Sequence, residues 1–254
     1  MKTETKTQIK NVINLSIPAI LTQIATIIMQ YIDSAMVGRL GENASAAIGL
    51  VSTSTWLFGG ILSALAVGFS VQIAHYFGAK EFKEGRTVLR HGLIFSICFS
   101  LILLLIGASI AKPLPFLLRA DESIWNESTL YILVFVLSLP FMMLNNLCAS
   151  SLQCSGNMIV PSILNAVMCL LDVVFNMIFI PLYGVMGASI GTALSVVVTS
   201  ILMFVICCFI DKKRKITIKD NSKFNKHIIN KAIKICIPIA LEQIARSGAM
   251  IVST

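Results

Sequence analysis

The stretch "INLSIPAILTQIA", residues 13–25, returns as "IKICIPIALEQIA" at residues 233–245, without a gap. Seven of the thirteen positions are identical: Ile13/Ile233, Ile17/Ile237, Pro18/Pro238, Leu21/Leu241, Gln23/Gln243, Ile24/Ile244 and Ala25/Ala245. Apolar helices share Ile and Leu through composition alone. Sharing Pro and Gln in register with them marks an internal repeat. Each copy opens a long apolar run, so the number of spans between the copies decides how the two repeats are related.

A helix crossing the hydrocarbon needs about twenty mainly apolar residues. The runs that qualify are 13–36, 46–77, 88–112, 126–153, 159–181 and 187–210, and a seventh begins near 231. Six crossings return the chain to its starting side, so both copies enter from the same face. That is the parallel-repeat arrangement of transporters built from two six-helix halves. The expected fold is an all-α polytopic membrane protein: a six-helix N-terminal lobe of a twelve-helix transporter, followed by the first helix of a truncated second lobe. The expected domains are a transmembrane lobe over 1–210, a basic linker over 211–230 and the opening helix of a C-terminal lobe over 231–254. A protein carrying both lobes would run to about twice the repeat offset.

Composition agrees. The chain is 56% hydrophobic and 13% charged over 254 residues, against about 25% charged for an ordinary soluble domain, and its mean hydropathy is +0.86. The net charge of +8 does not indicate nucleic-acid binding, because sixteen of the twenty Lys and Arg fall in three segments, 2–10, 80–90 and 212–234, that flank apolar runs. The loops on the opposite side carry only Arg39, Lys112 and Arg119. This one-sided bias predicts a cytoplasmic N-terminus in a multi-pass protein of the cell inner (plasma) membrane.

The seven cysteines (98, 148, 154, 169, 207, 208 and 236) show no metal-ligand spacing and read as small buried thiols. His75, His91 and His227 lie near loops without ligand spacing. No Gly-rich phosphate loop and no catalytic constellation occurs, so the chain reads as no enzyme, with no cofactor beyond a coupling cation.

Of the twelve acidic residues, Asp33, Asp172 and Glu242 lie well inside the apolar runs. A bare charge there costs several kcal/mol, and such residues usually mark ion pathways. Gln23, Thr26, Gln30 and Asp33 share one face of the first span. Asn165, Cys169, Asp172 and Asn176 share one face of the fifth. Thr192, Ser195 and Thr199 do so on the sixth, and the fourth adds Asn146, Ser150 and Gln153. Four striped helices predict a shared polar interior in which Gln23, Thr26, Gln30, Asn146 and Asn165 line a substrate cavity. The bland alternative is hydrogen bonding between helices by hydroxyls and amides. Glu242 has Arg246 four residues on, the favourable order for an ion pair. Gly59, Gly60, Ala64 and Gly68 form a small-residue track for close packing on the second span.

The segment "SIPAILTQIATIIMQYIDSAMVGRLGENASAAIGL", residues 16–50, resembles the first-helix signature of the multidrug and toxic compound extrusion (MATE) family: Ile-Pro, then Asp-Ser-x-Met-Val-Gly, then Leu-Gly. Residues 170–195, "LLDVVFNMIFIPLYGVMGASIGTALS", are similar to its fifth-to-sixth helix segment. The resemblance implies twelve helices in two lobes and export of chemically diverse, often cationic compounds in exchange for Na⁺ or H⁺. It implies that the first- and fifth-helix acids, here Asp33 and Asp172, bind the coupling cation, with any Na⁺ held there and no other metal. It adds the sixth-helix Thr192. Met168 stands where one branch carries Asn, leaving Asn176 or Asn165 to supply that group. Asp at 172 rather than Pro resembles the branch named for DNA-damage induction.

The implied partners are small organic cations or drugs, membrane lipids and the missing C-terminal lobe, with no nucleic acid. Two other readings stand beside the antiporter. A lipid-linked saccharide flippase of related architecture would need basic residues inside the lobe, and none precedes Arg246. A truncated chain without transport activity is the other.

Overall fold

The computed structural model describes residues 2–118, 120–210 and 225–253, with side chains described from Ser16 to Arg246. Most of the basic linker, residues 211–224, and Arg119 therefore lie outside the described residues.

Every described element is helical. The spans are α1 (Lys2–Gly38), α2 (Glu42–Gly78), α3 (Phe82–Ala111), α5 (Trp125–Cys154), α6 (Ile159–Tyr183) and α7 (Val185–Val205), the last continued by a π-helical turn, Ile206–Ile210. Among the described residues, six helices are long and apolar enough to cross a membrane. A one-turn helix, α4 (Pro113–Leu117), and a 3₁₀ turn fill the loop between α3 and α5. Asp121 caps that turn by accepting from Ser123 N–H at 2.8 Å. The Trp125 indole N–H donates to the Ala120 carbonyl at 2.9 Å, which folds the loop back on the end of α5.

The turns explain where the helices stop. Leu40 N–H bonds the Val37 carbonyl at 2.9 Å, and Gly41 follows at φ +113°, a backbone conformation in which a side chain would be strained. Gly184, at φ +59°, does the same between α6 and α7. The loops are so short that consecutive helices run antiparallel.

α5 is the centre of the bundle and packs on α2, α3 and α7, while α6 packs on α7 and α1 on α6. The main core joins α2, α3, α5 and α7 through Phe69, Leu89, Leu139, Met143, Leu147 and Met203. α1 lies at the margin: its most apolar window is 11% buried, against 50% for α2.

The last element, α8 (Lys226–Ser253), starts five residues before the expected boundary at 231. Asn225 explains the earlier start, because its side chain accepts from His227 N–H at 2.9 Å and its carbonyl from Ile228 N–H at 3.2 Å. The seam between α8 and α2 is the small-residue track. A methyl at Gly60 would meet Gln243, one at Gly68 would lie 2.6 Å from the Ala232 carbonyl oxygen, and the Gln72 amide donates to the Ile228 carbonyl at 3.1 Å. As the α2 number falls from 72 to 60, the α8 number rises from 228 to 243, so these helices are antiparallel. α1 is also antiparallel to α2, and the two repeat copies therefore run in the same direction.

Candidate functional site

The site forms where the ends of α1 and α2 meet α6 and α7. Asp33 lies five residues before the end of α1, about 8 Å along its axis. Facing it, α6 brings Asp172 and Asn176 one turn apart, both buried. The two carboxyl groups are in hydrogen-bonding contact. Asn176 bridges them: its amide nitrogen donates to Asp33 Oδ1 at 3.0 Å and to Asp172 Oδ2 at 3.2 Å.

α7 completes the cluster. Ser195 Oγ lies 3.4 Å from Asp172 Oδ1 and also donates to the Thr192 carbonyl at 2.8 Å. The Thr192 hydroxyl donates to the Ala188 carbonyl at 3.1 Å and lies within hydrogen-bonding reach of Asp172. Gly191 permits this closeness, since a methyl there would sit 2.1 Å from Asn176 Oδ1. That oxygen is buried without a partner and lies against the Gly191 backbone.

Electrostatically the cluster is incomplete. Asn176, Thr192 and Ser195 supply dipoles, and among the described residues neither aspartate has a salt-bridge partner. Two carboxylates in contact in a low-dielectric interior cannot both stay ionised unless a cation lies with them. The group therefore suits a shared proton or one small cation held by carboxylate and hydroxyl oxygens.

The expected ion residues, Asp33, Asp172, Asn176 and Thr192, thus come together. The expected cavity residues are less unified. Thr26 accepts from the Asn165 amide at 3.2 Å, so this pair ties α1 to α6 instead of pointing into open space. Gln23 and Gln30 are exposed. Asn146 is half-buried on α5, with no recorded bond to the others. Beside Thr26, Ser162 donates to the Pro18 carbonyl at 3.1 Å, next to a groove of about 290 Å³ between α1 and α6 lined by Leu21, Ala25, Ile159 and Ile163. Glu242 and Arg246 pair at 3.0 Å on an exposed face, away from the acid cluster.

Two residues were missed in the sequence. Tyr131 on α5 packs against the small apolar cluster of Val37, Ala44, Ile180, Val185 and Ala188 and stands within electrostatic range of both acids. It looks like any aromatic in an apolar run, and only the tertiary fold brings it there. His91 is buried on α3; its Nδ1 contacts the Thr87 carbonyl at 2.7 Å, and its Nε2 accepts Asn225 N–H at 3.0 Å. It anchors the start of α8.

Known proteins resemble this chain throughout. Multidrug and toxin extrusion protein 1 of Xenopus tropicalis is 28% identical over 75% of this chain and 33% of its own length. The probable multidrug resistance protein NorM of Oceanobacillus iheyensis is 25% identical over 80% of this chain and 47% of its own. A multidrug resistance MATE family transporter of the MOP superfamily, solved in an outward-facing conformation, superposes with a TM-score of 0.90 at 25% identity, over 95% of this chain and 54% of that one. The chain thus spans about half the length of its relatives, or less. The MatE family profile matches residues 18–178, more than half of the chain, and the chain belongs to that family.

Proposed function

We propose that this chain is the ion-binding half of a secondary active multidrug efflux antiporter, which exports organic, often cationic compounds in exchange for Na⁺ or H⁺. The observation that carries this reading is the Asp33–Asp172 contact bridged by Asn176, an acid pair with no basic partner among the described residues, placed between a marginal helix and the body of the lobe. The names of the relatives support the substrate class. A second lobe completes the protein and covers the exposed faces that carry Gln23, Gln30 and the Glu242–Arg246 pair.

The proposed cycle uses this chain's own groups. From outside, a cation or proton is taken up by Asp33 and Asp172, with Thr192 and Ser195 turning their oxygens toward it. Loading relieves the repulsion between the acids and changes how α1 sits on α6, and substrate leaves outward. Unloading inside resets the cavity. The direction is supported by the one-sided bias of the basic segments, which favours a cytoplasmic N-terminus and, with it, an acid pair in the outer half of the plasma membrane.

The test is Asp33→Asn in a protein carrying both lobes, with efflux of a fluorescent cationic drug measured in cells. Undiminished efflux ends the proposal. The same assay with the Na⁺ and H⁺ gradients collapsed separately identifies the coupling ion.

A further inference from the structure

The opening of α8 carries a second charged face. The Gln72–Ile228 bond sets the first turn of α8 beside the last turns of α2, at the opposite end of that helix from the acid pair. There, among the described residues, His227, Asn230, Lys231, Ile233 and Lys234 line a groove of about 370 Å³. His227, Asn230, Lys231 and Lys234 are exposed and recur at steps of three and four residues, which places them on one side of the helix. The opposite side, with Ile228, Ile229 and Ala232, is buried, and Ala232 meets Gly68 of α2.

The face is positive by sequence. From Asn225 to Leu241 the chain carries Lys226, Lys231 and Lys234 and no acid. The α2–α3 turn at the same end differs, because Lys80 and Lys83 alternate there with Glu81 and Glu84. The attraction is not that of a helix end, since Asn225 already accepts from the N–H groups of His227 and Ile228. Lys231 and Lys234 are neighbours on the helix surface, about 5–6 Å apart at Cβ. That separation lets two ammonium groups close on the oxygens of one phosphate, with the Asn230 amide as a further donor.

Position selects a lipid among the anions. Lys234 already stands inside the apolar run, between Ile233 and Ile235, and from there a long side chain reaches back to the membrane interface. The groove therefore lies where lipid phosphates lie. Three and seven residues past Lys234, on the same side of the helix, Ile237 and Leu241 are exposed. Basic groups at the interface followed by apolar surface match a phospholipid, headgroup first and acyl chain beneath it. A free phosphate would use only the first half of that face.

We propose that this side of α8 is a binding site for an anionic phospholipid, whose phosphodiester is held by Lys231, Lys234 and Asn230 while an acyl chain lies along Ile237 and Leu241. His227 closes the upper end of the groove. The bound lipid ties the opening of the second repeat to one leaflet. It involves neither Asp33 nor Asp172, so it stands apart from the antiport reading.

The experiment titrates the purified chain in neutral detergent micelles with phosphatidylglycerol and reads bound lipid by native mass spectrometry. One lipid per chain is expected to bind ahead of the rest, and ahead of phosphatidylcholine. Lys231→Gln with Lys234→Gln, both at exposed positions, is expected to weaken that binding about 25-fold, about fivefold for each lysine. Lys80→Gln with Lys83→Gln removes the same charge from the same end of the bundle and is expected to leave binding unchanged. Unchanged binding in the α8 variant, or equal weakening in both variants, overturns the proposal, the second by showing a diffuse attraction of the whole surface. Displacement of the lipid by inorganic phosphate at matched ionic strength also overturns it, marking a free-anion site. So does tighter binding of an acidic peptide at the same lysines, which would assign the face to a protein partner.

Discussion

Gly191→Ala probes the acid cluster without touching an ionisable group. The new methyl would stand 2.1 Å from Asn176 Oδ1 and 3.0 Å from both its Cγ and its backbone nitrogen. Ordinary contact begins near 3.4 Å, so the amide must retreat by more than about 1 Å. Its bonds to Asp33 and Asp172, at 3.0 and 3.2 Å, tolerate only a few tenths of an ångström before failing. A hydrogen bond to a charged acceptor contributes about 1.5–3 kcal/mol and one to a neutral acid about 0.5–1.5, while alanine regains about 1 kcal/mol of helix propensity, so the net loss with one acid ionised is about 1–3.5 kcal/mol. The assay is reversible unfolding of the purified chain in mixed detergent, with Gly59→Ala as the control, because a methyl there meets nothing within 4 Å. In an Asn176→Ala background most of the penalty should vanish. If Gly191→Ala matches Gly59→Ala, or keeps its full penalty without the Asn176 amide, the bridge is not what holds the site.

The remaining predictions concern the acids and the α8 seam. Adding the coupling cation should raise the thermal midpoint of the chain, by the equivalent of about 2.7 kcal/mol at a hundredfold excess over its dissociation constant; Asp172→Asn should abolish the rise, and a surviving rise would remove Asp172 from the site. Gly68→Ala would place a methyl 2.6 Å from the Ala232 carbonyl oxygen, backbone that cannot swing aside, costing about 1–3 kcal/mol. Disulfide formation between cysteines introduced at Gly60 and Gln243 should fall in that variant, and an unchanged yield would refute the packing. His91→Leu removes the acceptor of Asn225 N–H, costing about 1 kcal/mol. Hydrogen exchange over residues 225–230 should quicken about fivefold, while unchanged rates would show that the bond does not anchor α8.

The fold was legible because bilayer chemistry restricts it so tightly. Long apolar runs can only be helices, and the Pro18/Pro238 and Gln23/Gln243 matches fixed the parallel relation that the α2–α8 seam displays. Asp33 and Asp172 were legible for the same reason, since polarity is conspicuous in an apolar run. Helical spacing could not pair residues across helices. Thr26 and Asn165 sit on stripes that suggested an open cavity, yet the polar groups satisfy each other at the α1–α6 seam. Tyr131 and His91 carried no local signal at all. Their roles depend on which faces pack.

α1 is where these features act together on the proposed reading. It is the least buried span, and three hydrogen bonds link it to α6 in register: Ser162 to Pro18, Asn165 to Thr26 and Asn176 to Asp33. The first two join neutral groups and do not depend on an ion. The third ends at a carboxylate pressed against another carboxylate. At about 4 Å and an effective dielectric near 20, two such charges repel by about 4 kcal/mol, more than a single hydrogen bond to a charged acceptor returns, at about 1.5–3 kcal/mol. An unloaded pair should therefore release the Asp33 end of α1 while the Pro18 end stays docked. A cation or proton between the acids removes the repulsion and closes the end again. This makes α1 a lever hinged at the neutral bonds and driven at the charged one. Distances between labels on the end of α1 and on α6 should then shorten with cation in the parent chain and stay fixed in Asp33→Asn. Equal cation-dependent shortening in both would place the driving group elsewhere.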